Sequence, residues 1–289
     1  MDASILGAAA INGLLLGGSY ALVAVGLTLI YGVLHIINFA HGSLLMLAMY
    51  GVYFLLTKAN VDPYAALPLM VAGMFAAGYL MYRALIGRFS HGKDENILLI
   101  TLGLAIVLEN AALFFFTGDT QTITVSYSNK MVELGPALVP LPKLVSFLAS
   151  LLLCGALALF IARTDTGKAI RAVAKERDGA RLVGIDVEKM FAVAYGIGIA
   201  CLGAAACLLM PSFYVAPTVG HLFVIVAFTI VVLGGMGSFV GALLGALIIG
   251  LTESLAGLFF GEALGQIGIP LIFILILLLR PTGLFGAAR

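Results

Sequence analysis

Charge is scarce in this sequence: 15 Lys and Arg and 14 Asp and Glu make up 10% of its 289 residues, where a soluble domain carries about 25%. A self-contained soluble domain is excluded, because 62% hydrophobic residues present more apolar surface than one core of this length can hide. The signs nearly balance, at net charge +1, so nothing favours a nucleic-acid partner. Cysteine is sparse as well. Cys154, Cys201 and Cys207 lie in apolar runs without metal-ligand spacing, which argues against a disulfide framework or a zinc site and leaves them as small core residues. No second His or Cys stands at ligand spacing from His41, so no metal is expected there.

What the chain has in excess is hydrocarbon, with a mean hydropathy of +1.16. Apolar runs fall near Ile5 to Ile30, Gly42 to Leu56, Tyr64 to Leu85, Asn96 to Phe116, Leu144 to Ala162, Met190 to Met210, Leu222 to Leu233, Val240 to Phe259 and Leu264 to Leu279. They lack the alternation of a membrane barrel, and open strands would leave backbone groups unpaired in lipid. The expected fold is therefore all-α: one polytopic membrane domain over 1–289 with about eight to nine transmembrane helices, some short or broken. Met1-Asp2-Ala3-Ser4 has no basic region and the run after it is too long for a signal peptide, so the first span is expected to be retained.

Twelve of the fifteen basic residues fall in three places: Arg83 to Lys93, Arg163 to Lys189, and Arg280 with Arg289. Basic loops stay in the cytoplasm, and even numbers of spans separate these three. The amino terminus is then outside and the carboxyl terminus inside. The longest external segment is 118–142, rich in turns at Gly135-Pro136 and Pro140-Leu141-Pro142, with a short strand expected near Thr124-Val125. Glycine is abundant. Gly13 and Gly17, and Gly237, Gly241 and Gly245, recur every four residues, giving smooth strips on which helix backbones approach closely in lipid. Internal packing explains them, and a subunit contact or moving surface is the other reading.

The basic segment 163–189 has more pattern than a lipid anchor needs. Asp165 or Thr166 can cap a helix with Ile170, Val173 and Ala174 on its apolar face and Arg171, Lys175 and Arg177 solvated. Asp178 can cap a second short helix ending at Gly184, and Asp186 can cap the next span. Two capped amphipathic helices between rigid spans suit a groove on a partner, although an electrostatic contact with anionic lipid accounts for the charge alone.

The chain resembles a known family at this point, the membrane permease subunits of branched-chain amino-acid ABC importers. The resemblance covers nearly the whole sequence. It rests on Asn12-Gly-Leu-Leu-Leu-Gly-Gly-Ser-Tyr-Ala-Leu, Gly26-Leu-Thr-Leu-Ile-Tyr-Gly-Val and Ile37-Asn-Phe-Ala-His-Gly, and on Thr166-Gly-Lys-Ala-Ile-Arg-Ala-Val-Ala and Ala180-Arg-Leu-Val-Gly-Ile. Val232-Leu-Gly-Gly-Met-Gly-Ser and Arg280-Pro-Thr-Gly-Leu-Phe-Gly complete the series. It looks like the shorter of the two permeases in such a complex.

The resemblance implies that Thr166, Gly167, Ile170, Arg171, Asp178, Ala180, Arg181 and Gly184 couple the permease to ATPase subunits, with Asp178-Gly179-Ala180 where the family has Glu-Ala-Ala. Gly179 there costs about 1 kcal/mol of helix propensity relative to Ala. It further implies a second related permease subunit, two cytoplasmic ATPase subunits, an external binding protein, a bacterial cytoplasmic (inner) membrane location, and leucine, isoleucine and valine as substrates. Urea, short amides and other amino acids are substrates of the same family. The chain carries no nucleotide site. In Thr166-Gly167-Lys168-Ala169, Ala162 stands at the first-glycine position and Ala169 replaces the magnesium-binding Ser or Thr. ATP and Mg belong on partner subunits, no cofactor is expected on this chain, and no catalytic signature marks it as an enzyme.

Polar residues within the apolar runs are few. Glu109 and Glu253 each lie about thirteen residues from the cytoplasmic start of their runs, a rise of ~20 Å. An ionised group in hydrocarbon costs about 2.5–3.5 kcal/mol, so each faces protein or water. They line the path, or they bond to neighbours such as Asn110, Thr252 or Ser254. Asn12, Asn38 and His41 are the other pathway candidates. The Asn38–Gly42 break is an unwound helix beside a cavity or a tight turn whose polar side chains satisfy loose backbone groups, and the glycines Gly234, Gly235 and Gly237 form a hinge or a turn. Two rival functions remain. A secondary transporter or channel would need its own ion site, for which Glu109 with Glu253 is the only candidate pair, and a membrane scaffold would need only the glycine faces.

Overall fold

The computed structural model describes residues 3–89, 94–279 and 283–285; Met1-Asp2, Lys93, Arg280 to Thr282 and Arg289 lie outside them. Every apolar run becomes a helix, which satisfies its own backbone where lipid offers no partner. The order is α1 (Ala3–Leu34), α2 (His41–Ala59), α3 (Leu67–Met81), a π-turn (Tyr82–Ile86) leading into α4 (Gly87–Phe89), and α5 (Asp94–Phe116). A hairpin of β1 (Met131–Leu134) and β2 (Ala137–Pro140) follows, then α6 (Leu141–Arg163), α7 (Asp165–Lys175), α8 (Arg177–Leu182) and α9 (Val187–Leu209). The chain closes with α10 (Val219–Gly234), α11 (Phe239–Phe260) and α12 (Glu262–Leu279).

Among the described residues, seven helices are long and apolar enough to cross a membrane: α1, α2, α3 with α4, α5, α6, α9 and α11. Two further apolar helices, α10 and α12, stand outside those seven. α10 is apolar but has only 16 residues, because Gly235, at φ +91°, stops it. The most apolar windows of α1 and α9 are 89% buried, against 17% in α5 and 22% in α3, α6 and α11. α1 and α9 are therefore the interior pair, and the others form the wall around them.

Glycine sets how closely α1 approaches its neighbours. A Cβ built on Gly17 would stand 2.6 Å from the Ala246 carbonyl oxygen on α11, and one on Gly13 would stand 2.8 Å from that of Gly250. Gly26 meets α9 in the same way at Gly198, and Gly42 meets α10 at Gly220. These strips are internal packing. Gly241 and Gly245 lie against Gly234 and Ile230 of α10. Gly237 does not belong to their strip. At φ +90° it sits in the tight turn before α11, where the Ser238 amide donates to Gly235 O at 3.0 Å and Ser238 Oγ accepts from the Gly241 amide.

The hairpin lies within the 118–142 segment, at the end of the bundle opposite the basic residues. Thr124-Val125 itself forms no strand: Val125 O accepts the Ser128 amide in a turn, Gln121 just before it makes a single antiparallel bridge with Val215, and the ladder of the hairpin runs from Met131. Gly135, at φ +60°, and Pro136 make the two-residue connection between Leu134 and Ala137, with glycine at the position where that turn needs positive φ. Tyr127 donates to Asp62 at 2.8 Å and stacks on Tyr64, tying this segment to the α2–α3 connection. Burial first, and Asp62 second, push the Tyr127 hydroxyl pKa well up.

Gly17→Ala should lower the thermal midpoint of the detergent-purified protein, since overpacking of a filled contact costs about 1–3 kcal/mol. Gly103→Ala and Gly155→Ala, where an added Cβ meets nothing within 4 Å, should leave it unchanged or raise it, because Ala gains about 1 kcal/mol of helix propensity. Equal losses in a melting experiment would contradict the packing assignment.

Candidate functional site

At the basic end, α7 and α8 form the paired helices expected of 163–189, with different caps. Thr164 Oγ1, not Asp165 or Thr166, accepts the Gly167 amide at 3.0 Å, because Thr164 is the last extended residue. Glu176, not Asp178, occupies the cap position of α8, and Asp178 pairs with Arg181 at 3.2 Å. The other two signals hold. Gly184, at φ +85°, closes α8 with Gly184 N donating to Arg181 O and Ile185 N to Ala180 O, and Asp186 caps α9 through the Lys189 amide.

Ile170, Val173, Gly167 and Ala180 are buried in this chain's own core. Thr166 belongs to the first turn of α7, and Arg171 is exposed and donates to Ala162 O at 3.1 Å. Arg177 is not solvated as expected. Its guanidinium lies over the Phe191 ring at 5.0 Å and donates to Leu34 O, the end of α1, at 2.9 Å. A cation there satisfies an orphan carbonyl and complements the helix dipole. Of the segment's large apolar side chains, Leu182 and Val183 are left in the open, 89% and 77% exposed.

α1 has 32 residues, about 48 Å of rise, which is longer than the ~30 Å hydrocarbon core. The chain then folds back into the bundle. His41 Nε2 donates to Val23 O at 2.9 Å, eleven residues before the end of α1 and so roughly 17 Å back along it. Asn38 Oδ1 accepts the Ala40 amide, and Thr101 Oγ1 accepts that of Phe39. Asn38 and His41 are both fully buried. Each thus satisfies one backbone group, while Asn38 Nδ2 and His41 Nδ1 are buried without a hydrogen-bond partner.

Glu109 and Glu253 are not brought together. A carboxylate oxygen of Glu109 lies 2.9 Å from His221 Nε2 at the start of α10. Glu253 Oε1 accepts from the Tyr20 hydroxyl at 3.4 Å, and its Oε2 is buried with no hydrogen-bond partner. The expected partners are occupied elsewhere: Asn110 with Ile106 O, Thr252 with Ile248 O and Ser254 with Ala9 O. His221 is 64% exposed. An ionisable pair roughly 22 Å along α5 is not left facing lipid, so this face meets water or another protein.

Glu253 lines two neighbouring cavities toward the hairpin end. One, of about 440 Å³, is bounded by Leu16, Tyr20, Lys143, Phe213, Phe223 and Ile269. The other, of about 550 Å³, is bounded by Asn12, Leu16, Lys143 and Ser254. Thus Asn12 and Glu253 converge, while Asn38, His41 and Glu109 lie elsewhere. Sequence reasoning missed Tyr20, Lys143, His221 and the reach of Arg177. A signal for Tyr20 was present, because Asn12, Leu16 and Tyr20 recur every four residues on one face of α1.

Residues 9–279 match the family described as branched-chain amino acid transport system / permease component. The high-affinity branched-chain amino acid transport system permease protein BraD of Pseudomonas aeruginosa is 32% identical, over 96% of this chain and 94% of its own. LivH of Escherichia coli K12, a permease protein of the same description, is 31% identical over 95% and 94%. A chain of PsaBC from Streptococcus pneumoniae, solved in complex with Fab, aligns over 94% of this chain and 92% of its own with a TM-score of 0.50 at 15% identity, a likeness of fold alone. By the family match and these relatives together, this chain belongs to the permease components of branched-chain amino acid transport systems.

Proposed function

We propose that this chain is a membrane subunit of a binding-protein-dependent ABC importer for leucine, isoleucine and valine in a bacterial inner membrane. It has eight to nine spans on this reading, with its amino terminus outside and its carboxyl terminus inside. A second related permease subunit completes the path, an external binding protein delivers substrate, and two cytoplasmic ATPase subunits hold ATP and Mg. The observation that carries this reading is the contact of Arg177 with the end of α1. The first residue of α8 thus grips the helix that also supplies Asn12, Leu16 and Tyr20 to the cavities at the far end. A displacement of α7 and α8 by an ATPase then reaches the cavity walls through one rigid helix. The exposed Leu182-Val183 tip is the part of that segment free to enter a groove on the ATPase. The Glu109–His221 face abuts the second permease subunit or the aqueous path. The separation of Glu109 from Glu253 weighs against a self-sufficient ion-coupled transporter.

Leu182→Glu with Val183→Glu should abolish copurification of the ATPase subunits while the permease still inserts, and unchanged copurification would remove the docking assignment. Arg177→Leu should lower leucine uptake about tenfold or more, the scale of a lost hydrogen bond to a charged group. ATP hydrolysis measured on the same proteoliposomes should persist, and normal uptake would break the proposed transmission. His221→Cys should react with a membrane-impermeant maleimide added from outside, because the three native cysteines are buried. Labelling only from the cytoplasmic side would reverse the topology.

A further inference from the structure

Glu253 and Lys143 are the two charged groups lining both cavities. Although they line the same cavities, no ion pair within 4.0 Å links them among the described residues. Each is also held in its own way. Glu253 projects from α11, with Tyr20 on Oε1 and with Oε2 buried and unmatched. A buried acceptor without a donor is an unfavourable arrangement that a ligand donor relieves. Lys143 stands in the first turn of α6, where the Leu141 amide already donates to Lys130 O and Pro142 has no N–H, so the positive charge at this wall is the Lys143 ammonium itself. Beside these two charges the wall is apolar and aromatic. Phe213 and Phe223 pack with ring centres 5.4 Å apart, and Tyr20 meets Phe223 edge-on at 6.1 Å. The cavity volume of about 440 Å³ falls within the range of about 300–1,000 Å³ typical of small-molecule sites.

We propose that these neighbouring cavities bind the zwitterionic head of an α-amino acid, Glu253 accepting from the ammonium and Lys143 donating to the carboxylate, with the apolar side chain against Phe213 and Phe223. The proposal rests on the permease reading above and names the residues by which the path recognises its cargo. The gap between Glu253 and Lys143 is where a ligand carrying both charges completes two interactions at once. An amine lacking a carboxylate leaves Lys143 unmatched, and a carboxylic acid lacking an amine leaves Glu253 unmatched. The pair thereby discriminates by its unpaired partner. Tyr20 is a positioning residue, fixing the Glu253 carboxylate from α1. Because Tyr20 sits on the helix that Arg177 holds at its other end, a shift of α1 changes the grip on the head group.

The test is leucine uptake by the assembled complex in proteoliposomes with its binding protein and ATP. Glu253→Gln and Lys143→Met should each lower the maximal rate about tenfold or more, as expected for a lost interaction with a charged group. Glu253→Asp and Lys143→Arg should recover most of it, with the amount of assembled complex in the membrane equal in all four variants. Wild-type rates in Glu253→Gln and Lys143→Met would overturn the proposal. So would a loss that the conservative variants do not restore, or one that follows loss of assembled complex, because that pattern marks a structural role. Absence of leucine uptake by the wild-type assembly would instead remove the permease reading on which the proposal rests.

Discussion

Backbone-to-backbone approach at glycine is the constraint that organises this molecule. In lipid, an apolar side chain gains little by turning inward, so helices associate through close van der Waals contact. α1 achieves that contact on three sides, through Gly13 and Gly17 against α11, Gly26 against α9, and Gly32 beside the Gly237 turn. A residue with a side chain at any of these contacts would have to push a neighbouring backbone or side chain aside. The consequence is mechanical: α1 behaves as a long rigid rod with a helix packed on each side and one end fastened by Arg177.

That rod joins the two regions where chemistry is concentrated. At the basic end, α7 and α8 turn their apolar faces inward and leave Leu182 and Val183 outside. At the other end, the same helix contributes one wall of the cavities containing Glu253 and Lys143. The return of the chain to His41 adds a second fixed point, because the imidazole bonds α1 at Val23 in the interior.

Much of the architecture was legible in the sequence, since hydrocarbon length and the need to satisfy the backbone leave little choice in lipid. All nine apolar runs became helices, and Gly184 and Asp186 ended and began their helices as their residue types require. Local signals failed where neighbours compete for the same role. Three candidate caps lie in succession at Thr164, Asp165 and Thr166, and only backbone conformation selects Thr164. The strand expected near Thr124-Val125 lies instead at Met131, beside the turn at Gly135-Pro136, because the turn and not β-propensity set where the ladder forms. The site was only half visible. Asn12 and Glu253 stand out as polar residues in apolar runs, but Lys143 reads as an ordinary loop charge until α6 places it at the cavities that Glu253 lines. Likewise, nothing local links Arg177 to Leu34, 143 positions away in sequence.

The most direct measurement is leucine accumulation in sealed vesicles containing this chain and its permease partner, with and without the ATPase subunits and ATP. The account predicts no concentrative uptake until both the ATPase subunits and ATP are supplied. Accumulation by the membrane subunits alone, driven by an ion or proton gradient, would contradict it.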